Sequence, residues 1–460
     1  MSQFNSNYGI LNVRELLGKG EITVLFLGVL GSGMLPLAEL LAARGYRVLG
    51  ADSRLSGGEI KLPRGITEVT ENDGKSLHGV GLLVYSLAIS EDNPLLLAAK
   101  DMGIPTVSRA ELLGAVLSDF KCSVAISGTH GKSTTSAMLG EVLEVAGWEP
   151  TVICGKDPLS ESGLTPGRED YLVLEACEYK DSFLKLSADV VAVTNIELDH
   201  TDYFPDIDRL TESFCRFVAG AGLVFLNADD PHTPILRQAA TGRVVTFGRS
   251  EGADYRITEY TLGREGSSFR IEGKGFSPME LNLSVIGEAN ILDAALTVAI
   301  SHTLGVEKVD IKRGLSVFSG VYRRLTLLGY VEGRPLYYDY AHHPTEILNT
   351  VATLKGIYGK CAVLFAPHTY SRTESLFEGF VDALGRADYT VISDVYAARE
   401  SVGRVGSEEL AHAIEGAAHL NGECAVSYLL RKTEGAIVLM GAGDVGKIKA
   451  AFEKMLTFKP

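Results

Sequence analysis

Between a strand-like run, Cys122–Ser127 (CSVAIS), and a helical stretch lies the loop Gly128-Thr129-His130-Gly131-Lys132-Ser133, followed by Thr134. A glycine-rich loop in this position turns successive backbone N–H groups toward phosphate oxygens, and the N-terminus of the following helix adds its partial positive charge. Lys132 is placed to neutralise β- and γ-phosphate charge, and the Ser133 hydroxyl to bind Mg²⁺. The loop is a shortened form of GxxxxGK[ST], whose first glycine would fall at Ile126. A plain glycine turn with a solvated lysine is the competing interpretation. It does not account for strand, loop, Lys-Ser and helix occurring in the order the chemistry needs.

Other residues fall where strands end. Glu175 closes the run YLVL, and Asp199 and His200 follow VVAVTN. In a parallel sheet these strand ends lie on the edge that carries the phosphate loop, so carboxylate and imidazole there could hold Mg²⁺ beside a γ-phosphate. His200 alone reads better as a capping or surface histidine; the phosphate loop and Glu175 on the same edge turn the reading toward a metal ligand. Near the N-terminus, Gly28-x-x-Gly31-x-Gly33 with Asp52 resembles a dinucleotide fingerprint, although its glycine spacing is inverted relative to GxGxxG. Tight strand–helix packing without a ligand fits the same glycines. A third group, Arg323-Arg324, Asp339, His342-His343, His368 and Arg372, lies in VYRRL, YYDYAHHPTEI and APHTYSRT. Cations there could stabilise phosphoryl and acyl transfer, but each residue taken singly also reads as solvated surface or loop.

The elements that must position these residues fall into three successive segments. The first opens with Thr23–Gly28, a helical stretch LPLAELLAARGY and a second strand at 48–52, which together read as a βαβ unit. The second carries strand candidates at 122–127, 171–174, 190–194 and 223–227, with a helix predicted over 136–146. Residues 254–286 alternate as short antiparallel strands at a sheet edge, and 289–304 return to helical spacing. The third has strand candidates at 336–339, 362–365, 390–393 and 437–440, the last running into GAGD.

Composition agrees with a folded multidomain chain. It has 460 residues, 46% hydrophobic and 22% charged, with 50 glycines. The net charge of −15 makes nucleic acid and anionic membrane surfaces poor partners. No apolar run approaches the ~20 residues of a membrane span, and MSQFNSNYGILNVRELL lacks the form of a signal peptide. Six scattered cysteines without CxxC pairs point to reduced thiols in a cytoplasm.

Taken together, GTHGKSTT, VTNIELDHTD, GEANILDA, GVYRRL and DYAHHPTEI, in this order, resemble the Mur ligases along the whole chain. The resemblance implies an α/β protein of three domains: a Rossmann-like UDP-sugar-binding domain (1–119), a P-loop-type central ATPase domain with a parallel sheet (120–318) and a Rossmann-like C-terminal domain (319–460). PHTYSRT and YAARES are similar to the alanine-adding branch. That branch joins L-alanine to the lactyl carboxylate of UDP-N-acetylmuramate, with ATP and Mg²⁺, in peptidoglycan precursor synthesis in the cytoplasm; a monomer or homodimer is expected. Two other readings within the resemblance are attachment of a murein tripeptide to the same sugar nucleotide and a non-catalytic sugar-nucleotide binder. A nicotinamide dehydrogenase built on the first glycine loop leaves the phosphate loop unexplained.

Residue by residue, the resemblance implies that Gly31, Ser32, Gly33, Met34 and Asp52 hold the UDP end. It implies that residues 128–134 bind ATP phosphates, that Ser133, Glu175 and His200 bind the metal, and that Asn290 and Asp339 meet adenine and ribose. Arg324 approaches the phosphates, and His343 and Arg372 place the acceptor carboxyl or the alanine. Ala289 stands where a histidine commonly precedes Asn290. Sister ligases carry a carbamylated lysine fourteen positions after the DH histidine; here that position is Phe214, which cannot form a carbamate.

Overall fold

The computed structural model describes residues 9–18, 20, 22–57, 60–69, 74–155, 163–397, 400–401, 403–442 and 445–457. The first eight residues, Ala398 and Arg399 of YAARES, and Gly443-Asp444 of GAGD lie outside the described residues.

Three sheets follow one another along the chain. The first holds β1 (Thr23–Leu27), β2 (Arg47–Ala51), β3 (Ile66–Glu68), β4 (Val80–Tyr85) and β5 (Thr106–Ser108), all parallel, in the order β3-β2-β1-β4-β5. The order reverses beside β1, so the glycine loop after β1 sits at a topological switch point, where open α/β sheets bind ligands.

The middle sheet has ten strands: β6 (Cys122–Ser127), β7 (Pro150–Ile153), β8 (Leu164–Thr165), β9 (Arg168–Glu175), β10 (Val190–Val193), β11 (Leu223–Asn227), β12 (Arg243–Gly248), β13 (Tyr255–Leu262), β14 (Ser267–Gly273) and β15 (Phe276–Leu283). Their order is β15-β14-β13-β12-β11-β10-β6-β9-β7-β8. The central strand β6 runs parallel to both neighbours, β10 and β9. Both faces of these strands are covered by helices or loops, so VVAV of β10 is buried at every residue. The 254–286 region forms the antiparallel edge β13-β14-β15, as its alternation predicts.

The third sheet contains β16 (Thr326–Val331), β17 (Arg334–Asp339), β18 (Cys361–Phe365), β19 (Tyr389–Ile392), β20 (Ala418–His419) and β21 (Ala436–Met440), in the order β16-β17-β21-β18-β19-β20. Only β16 pairs antiparallel.

Differences from the sequence reading are local. The helix after the phosphate loop spans Lys132–Val145 and starts four residues before the predicted 136. Gly131, at φ 84°, serves as its N-cap, so the polar run Lys-Ser-Thr-Thr already belongs to the first turn. Strands β3, β5, β7, β8, β12, β16 and β20 were not among the sequence candidates. An apolar cluster runs without a break from Phe26 and Leu41 of the first layer to Phe183, Phe214 and Leu226 of the second, which fixes the first sheet against the middle one.

Candidate active site

The phosphate loop is shaped by close approach of backbone. Gly128 lies at φ 131°, and a Cβ there would fall within 2.9 Å of the Asn195 carbonyl oxygen. A Cβ on Gly131 would sit 2.4 Å from Asp293 Oδ1. The N–H of Thr129 donates to the Asn195 carbonyl at 3.0 Å, and the N–H of His130 to Asn195 Oδ1 at 2.9 Å. The loop is thereby tied to the segment that follows β10.

Lys132 leads the helix and turns its Nζ back over the loop, donating to the carbonyls of Gly128 (2.5 Å) and Thr129 (3.1 Å) and pairing with Glu178 at 3.0 Å. Burial works against its charge, but Glu178, Cys177 and Glu175 outweigh burial and push its pKa up to about 12. The lysine is a fixed cation, not an acid–base group. Ser133 donates its hydroxyl to Glu175 Oε2 at 2.7 Å, and the same oxygen accepts the Gly155 N–H at 3.1 Å. His200 Nε2 lies 3.7 Å from Glu178 Oε1. Its backbone is left-handed (φ 53°), its N–H is held by Asp199 Oδ1 at 2.7 Å, and its ring packs on Tyr179 at 4.7 Å. Lys132, Ser133, Glu175 and His200 therefore meet at one edge of the middle sheet, where Glu178 joins Lys132 to His200 and Glu175 holds Ser133.

The C-terminal domain covers this edge. Arg372 reaches Asp199, and its Nη1 lies 3.4 Å from His368 Nδ1. His343, the N-cap of the helix Pro344–Tyr358, points Nε2 at the Leu198 carbonyl, 3.3 Å away. Thr345 donates to Glu197 at 2.5 Å. Glu346 gathers three side-chain partners: Arg324 Nη1 and His130 Nδ1, each at 3.2 Å from Oε1, and His342 Nδ1 at 3.3 Å from Oε2. Burial would raise the Glu346 pKa, but His342, His130 and Arg324 outweigh it and hold the carboxyl well below the usual range. Burial likewise opposes protonation of His130, yet Glu346 and Glu197 push its pKa up to about 9.

Asn290, Asp339 and Arg324 come from the middle domain, the end of β17 and the segment before β16, and all line one cavity of about 100 Å³ together with Gly131 and Glu346. A neighbouring cleft of about 650 Å³ is walled by Asn195, Asp230, Phe247, Ala289 and Leu376. Asp339 accepts from the Thr350 hydroxyl at 2.5 Å, and burial raises its pKa against the pull of that bond and of Arg324. The Asn290 Nδ2 donates to the Ile286 carbonyl at 2.7 Å.

The first glycine loop forms a separate place. Asp52 accepts the Leu30 N–H at 3.0 Å and the Arg54 guanidinium at 2.9 and 3.0 Å. Burial raises its pKa, but these partners lower it further. A Cβ on Gly33 would stand 2.8 Å from Arg109 Nη1. Ser32 is exposed, whereas the Met34 side chain is buried in the core at 1% exposure. Met34 thus shapes the loop from below.

Sequence reasoning missed Glu178, Glu197, Glu346 and Asp293. Glu178 lies three residues after Glu175, and its acidity beside a phosphate-loop lysine was a usable signal. Glu346 reads as the third residue of a capping box, a role it does fill; its links to His130 and Arg324 are tertiary.

Three stretches match families of one kind: residues 23–121 the "Mur ligase family, catalytic domain", 126–301 the "Mur ligase middle domain" and 323–451 the "Mur ligase, glutamate ligase domain". The chain is 37% identical over 437 residues to a UDP-N-acetylmuramate–L-alanine ligase of Caldicellulosiruptor bescii, covering 92% of this chain and 96% of that one. It is also 37% identical over 442 residues to the enzyme of the same name from Clostridium acetobutylicum, covering 93% and 96%. Among solved structures, the UDP-N-acetylmuramate–alanine ligase of Thermotoga maritima superposes with a TM-score of 0.78 at 25% identity, over 94% of this chain and 99% of that one. A murein peptide ligase of Psychrobacter arcticus shares the fold, with a TM-score of 0.67 at 21% identity, over 94% and 98%.

Proposed function

The chain belongs to the Mur ligase family, and from that premise we propose that it joins L-alanine to the lactyl carboxylate of UDP-N-acetylmuramate at the expense of ATP, a step of peptidoglycan precursor synthesis in the cytoplasm. The observation that carries this reading is the meeting of Lys132, Ser133, Glu175 and His200 at one sheet edge, under a C-terminal domain that delivers Arg324, His343 and Arg372. The alanine-adding relatives, similar over more than nine-tenths of the chain, support the choice of amino acid. Among the described residues no helix is long and apolar enough to cross a membrane.

A carboxylate resists amine attack because its leaving group would be oxide. The lactyl carboxylate therefore attacks the γ-phosphorus of ATP, ADP departs, and the resulting acyl phosphate carries a good leaving group. The alanine amine attacks the acyl carbon, and the tetrahedral intermediate expels phosphate, which leaves with the proton the amine gives up. The protein's part is positioning and charge neutralisation. Lys132 meets the phosphates as a permanent cation, exchanging Glu178 for phosphate oxygen. Arg324 lies between Glu346 and Asp339 at the nucleoside cavity and moves onto the phosphates. His343 and Arg372 place the acceptor carboxyl or the incoming alanine, and the closed domain keeps water from the acyl phosphate.

The donor set at the sheet edge, the Ser133 hydroxyl and the Glu175 and Glu178 carboxylates beside the His200 imidazole, is rich in hard oxygen and suits Mg²⁺. Ser133, Glu175 and His200 would hold the ion, which supplies further neutralisation of phosphate charge. Asn290 and Asp339 take the nucleoside. Gly31, Ser32, Gly33 and Asp52 take the UDP end, with Met34 supporting the loop. We place the domain limits at 119/120 and 318/319.

The test is ADP release with UDP-N-acetylmuramate and each of several single amino acids, with a murein tripeptide as competitor. Release with L-alanine alone supports the reading; release only with the tripeptide moves the chain to the recycling activity.

A further inference from the structure

A cluster outside the Lys132–Glu175–His200 group has the composition of a transition-metal site. His130 of the phosphate loop, Glu197 after β10 and His343 at the N-terminus of the helix Pro344–Tyr358 each offer one donor atom, and the three atoms lie within 4.8 Å of one another. His130 Nε2 and His343 Nδ1 both stand 3.4 Å from the same oxygen, Glu197 Oε2. Ligand atoms of a tetrahedral zinc ion, at ~2.0–2.2 Å from the metal, are spaced about 3.4 Å apart.

The far nitrogens strengthen the case. His130 Nδ1 faces Glu346 Oε1 at 3.2 Å, and His343 Nε2 faces the Leu198 carbonyl at 3.3 Å. An N–H donated to the Leu198 carbonyl leaves His343 Nδ1 as the acceptor nitrogen, and an Nδ1–H toward Glu346 leaves His130 Nε2 as the ligand nitrogen once its own proton is displaced, the arrangement of carboxylate–histidine–zinc sites. In the ion-free chain the positive charge beside Glu197 is the proton that His130 holds, and His343 Nδ1 accepts the Thr345 N–H at 3.3 Å; a cation bound among the three would take the place of that proton and that bond. His130 Nε2 is buried and makes no hydrogen bond of good geometry. The His130 and His343 rings face each other with centroids 4.7 Å apart.

We propose that His130, Glu197 and His343 bind a divalent transition cation of the zinc class, tying the phosphate loop of the middle domain to the C-terminal domain. The site is distinct in chemistry from the Mg²⁺ group, which offers one imidazole among oxygens, whereas this one offers two imidazoles. The assignment does not depend on the ligase reading, because it concerns the nucleotide-free chain.

The experiment uses the full chain, stripped with chelator and titrated with Zn²⁺ in the absence of ATP and Mg²⁺. The expected result is one tightly bound Zn²⁺ per chain and a rise in melting temperature. His343→Gln weakens binding by at least about 100-fold, and His200→Gln leaves it unchanged. Zinc K-edge absorption of the wild-type complex, which needs no variant to fold, should show two imidazole ligands. Binding that survives His343→Gln, or disappears in His200→Gln, or shows a single imidazole, overturns the proposal.

Discussion

Arg372 and Asp199 lie 173 residues apart and form a charge pair between domains: the Arg372 Nε and Nη2 donate to Asp199 Oδ1 at 3.2 and 2.9 Å, and Nη2 reaches Oδ2 at 3.3 Å. Burial would raise the Asp199 pKa, but Arg372 and His200 hold it far below the carboxylate range. The pair closes the C-terminal domain over the strand ends that carry the phosphate loop.

Truncating one partner of such a desolvated pair costs ~2–5 kcal/mol, much of it from the charge left behind. Arg372→Ala should therefore shift the balance from closed toward open domains by at least about 30-fold. Small-angle scattering should give a larger radius of gyration for the ligand-free variant than for the parent. Arg372→Lys, which cannot make the forked contact, should recover only part of the closure. Identical radii for parent and alanine variant would show that the pair does not hold the domains.

Lys132 and Glu178 predict opposite responses to ATP. On the proposed ATP site, Lys132→Ala removes a charge facing the transferring phosphoryl group and should lower turnover by about three orders of magnitude or more. Glu178→Gln leaves Lys132 buried with only carbonyl partners, at a cost of about 3 kcal/mol to the ligand-free protein. Phosphate oxygens can replace the lost carboxylate. ATP should thus raise the melting temperature of Glu178→Gln by more than that of the parent, measured by calorimetry at matched ATP. An equal rise would mean that Lys132 keeps its apo partners when nucleotide binds.

Asp293 sits beneath Gly131 and accepts from the Thr135 hydroxyl at 3.1 Å. Burial raises its pKa from 3.8 to about 7 despite that bond and the nearby Arg324. Because the folded value lies above the unfolded one, the native state binds more protons between about pH 4 and pH 7, and stability falls as pH rises through that window. Asp293→Asn keeps a neutral acceptor there. The melting temperature of the variant relative to the parent should climb from pH 4 to pH 7 and level off above, in nucleotide-free protein. A difference independent of pH would remove Asp293 as its source.

Phe214 is fully buried and packs edge-on against Phe183 with centroids 5.1 Å apart. On the proposed reading, an apolar core residue at this place leaves the metal to Glu175, His200, phosphates and water. Turnover in degassed, bicarbonate-free buffer should match turnover with bicarbonate added. A large gain on adding bicarbonate would require a carbamylated lysine from elsewhere in the chain.

The local signals were readable from sequence because they rest on short-range physics. The order CSVAIS, GTHGKS, helix marks a strand–glycine loop–helix of phosphate-loop type by local spacing alone, and buried parallel strands show as runs such as VVAV and CAVLF. The antiparallel edge at 254–286 follows from its period of two. The partners of those motifs were not readable. That Glu178 holds Lys132, that Glu346 collects Arg324, His130 and His342, and that Asn290, Asp339 and Arg324 line one cavity depend on how the third sheet docks on the second. Docking is decided by apolar area and shape between whole layers, which no local spacing encodes. The same docking brings His130 and His343 to one carboxylate oxygen, although 213 residues separate them in the chain.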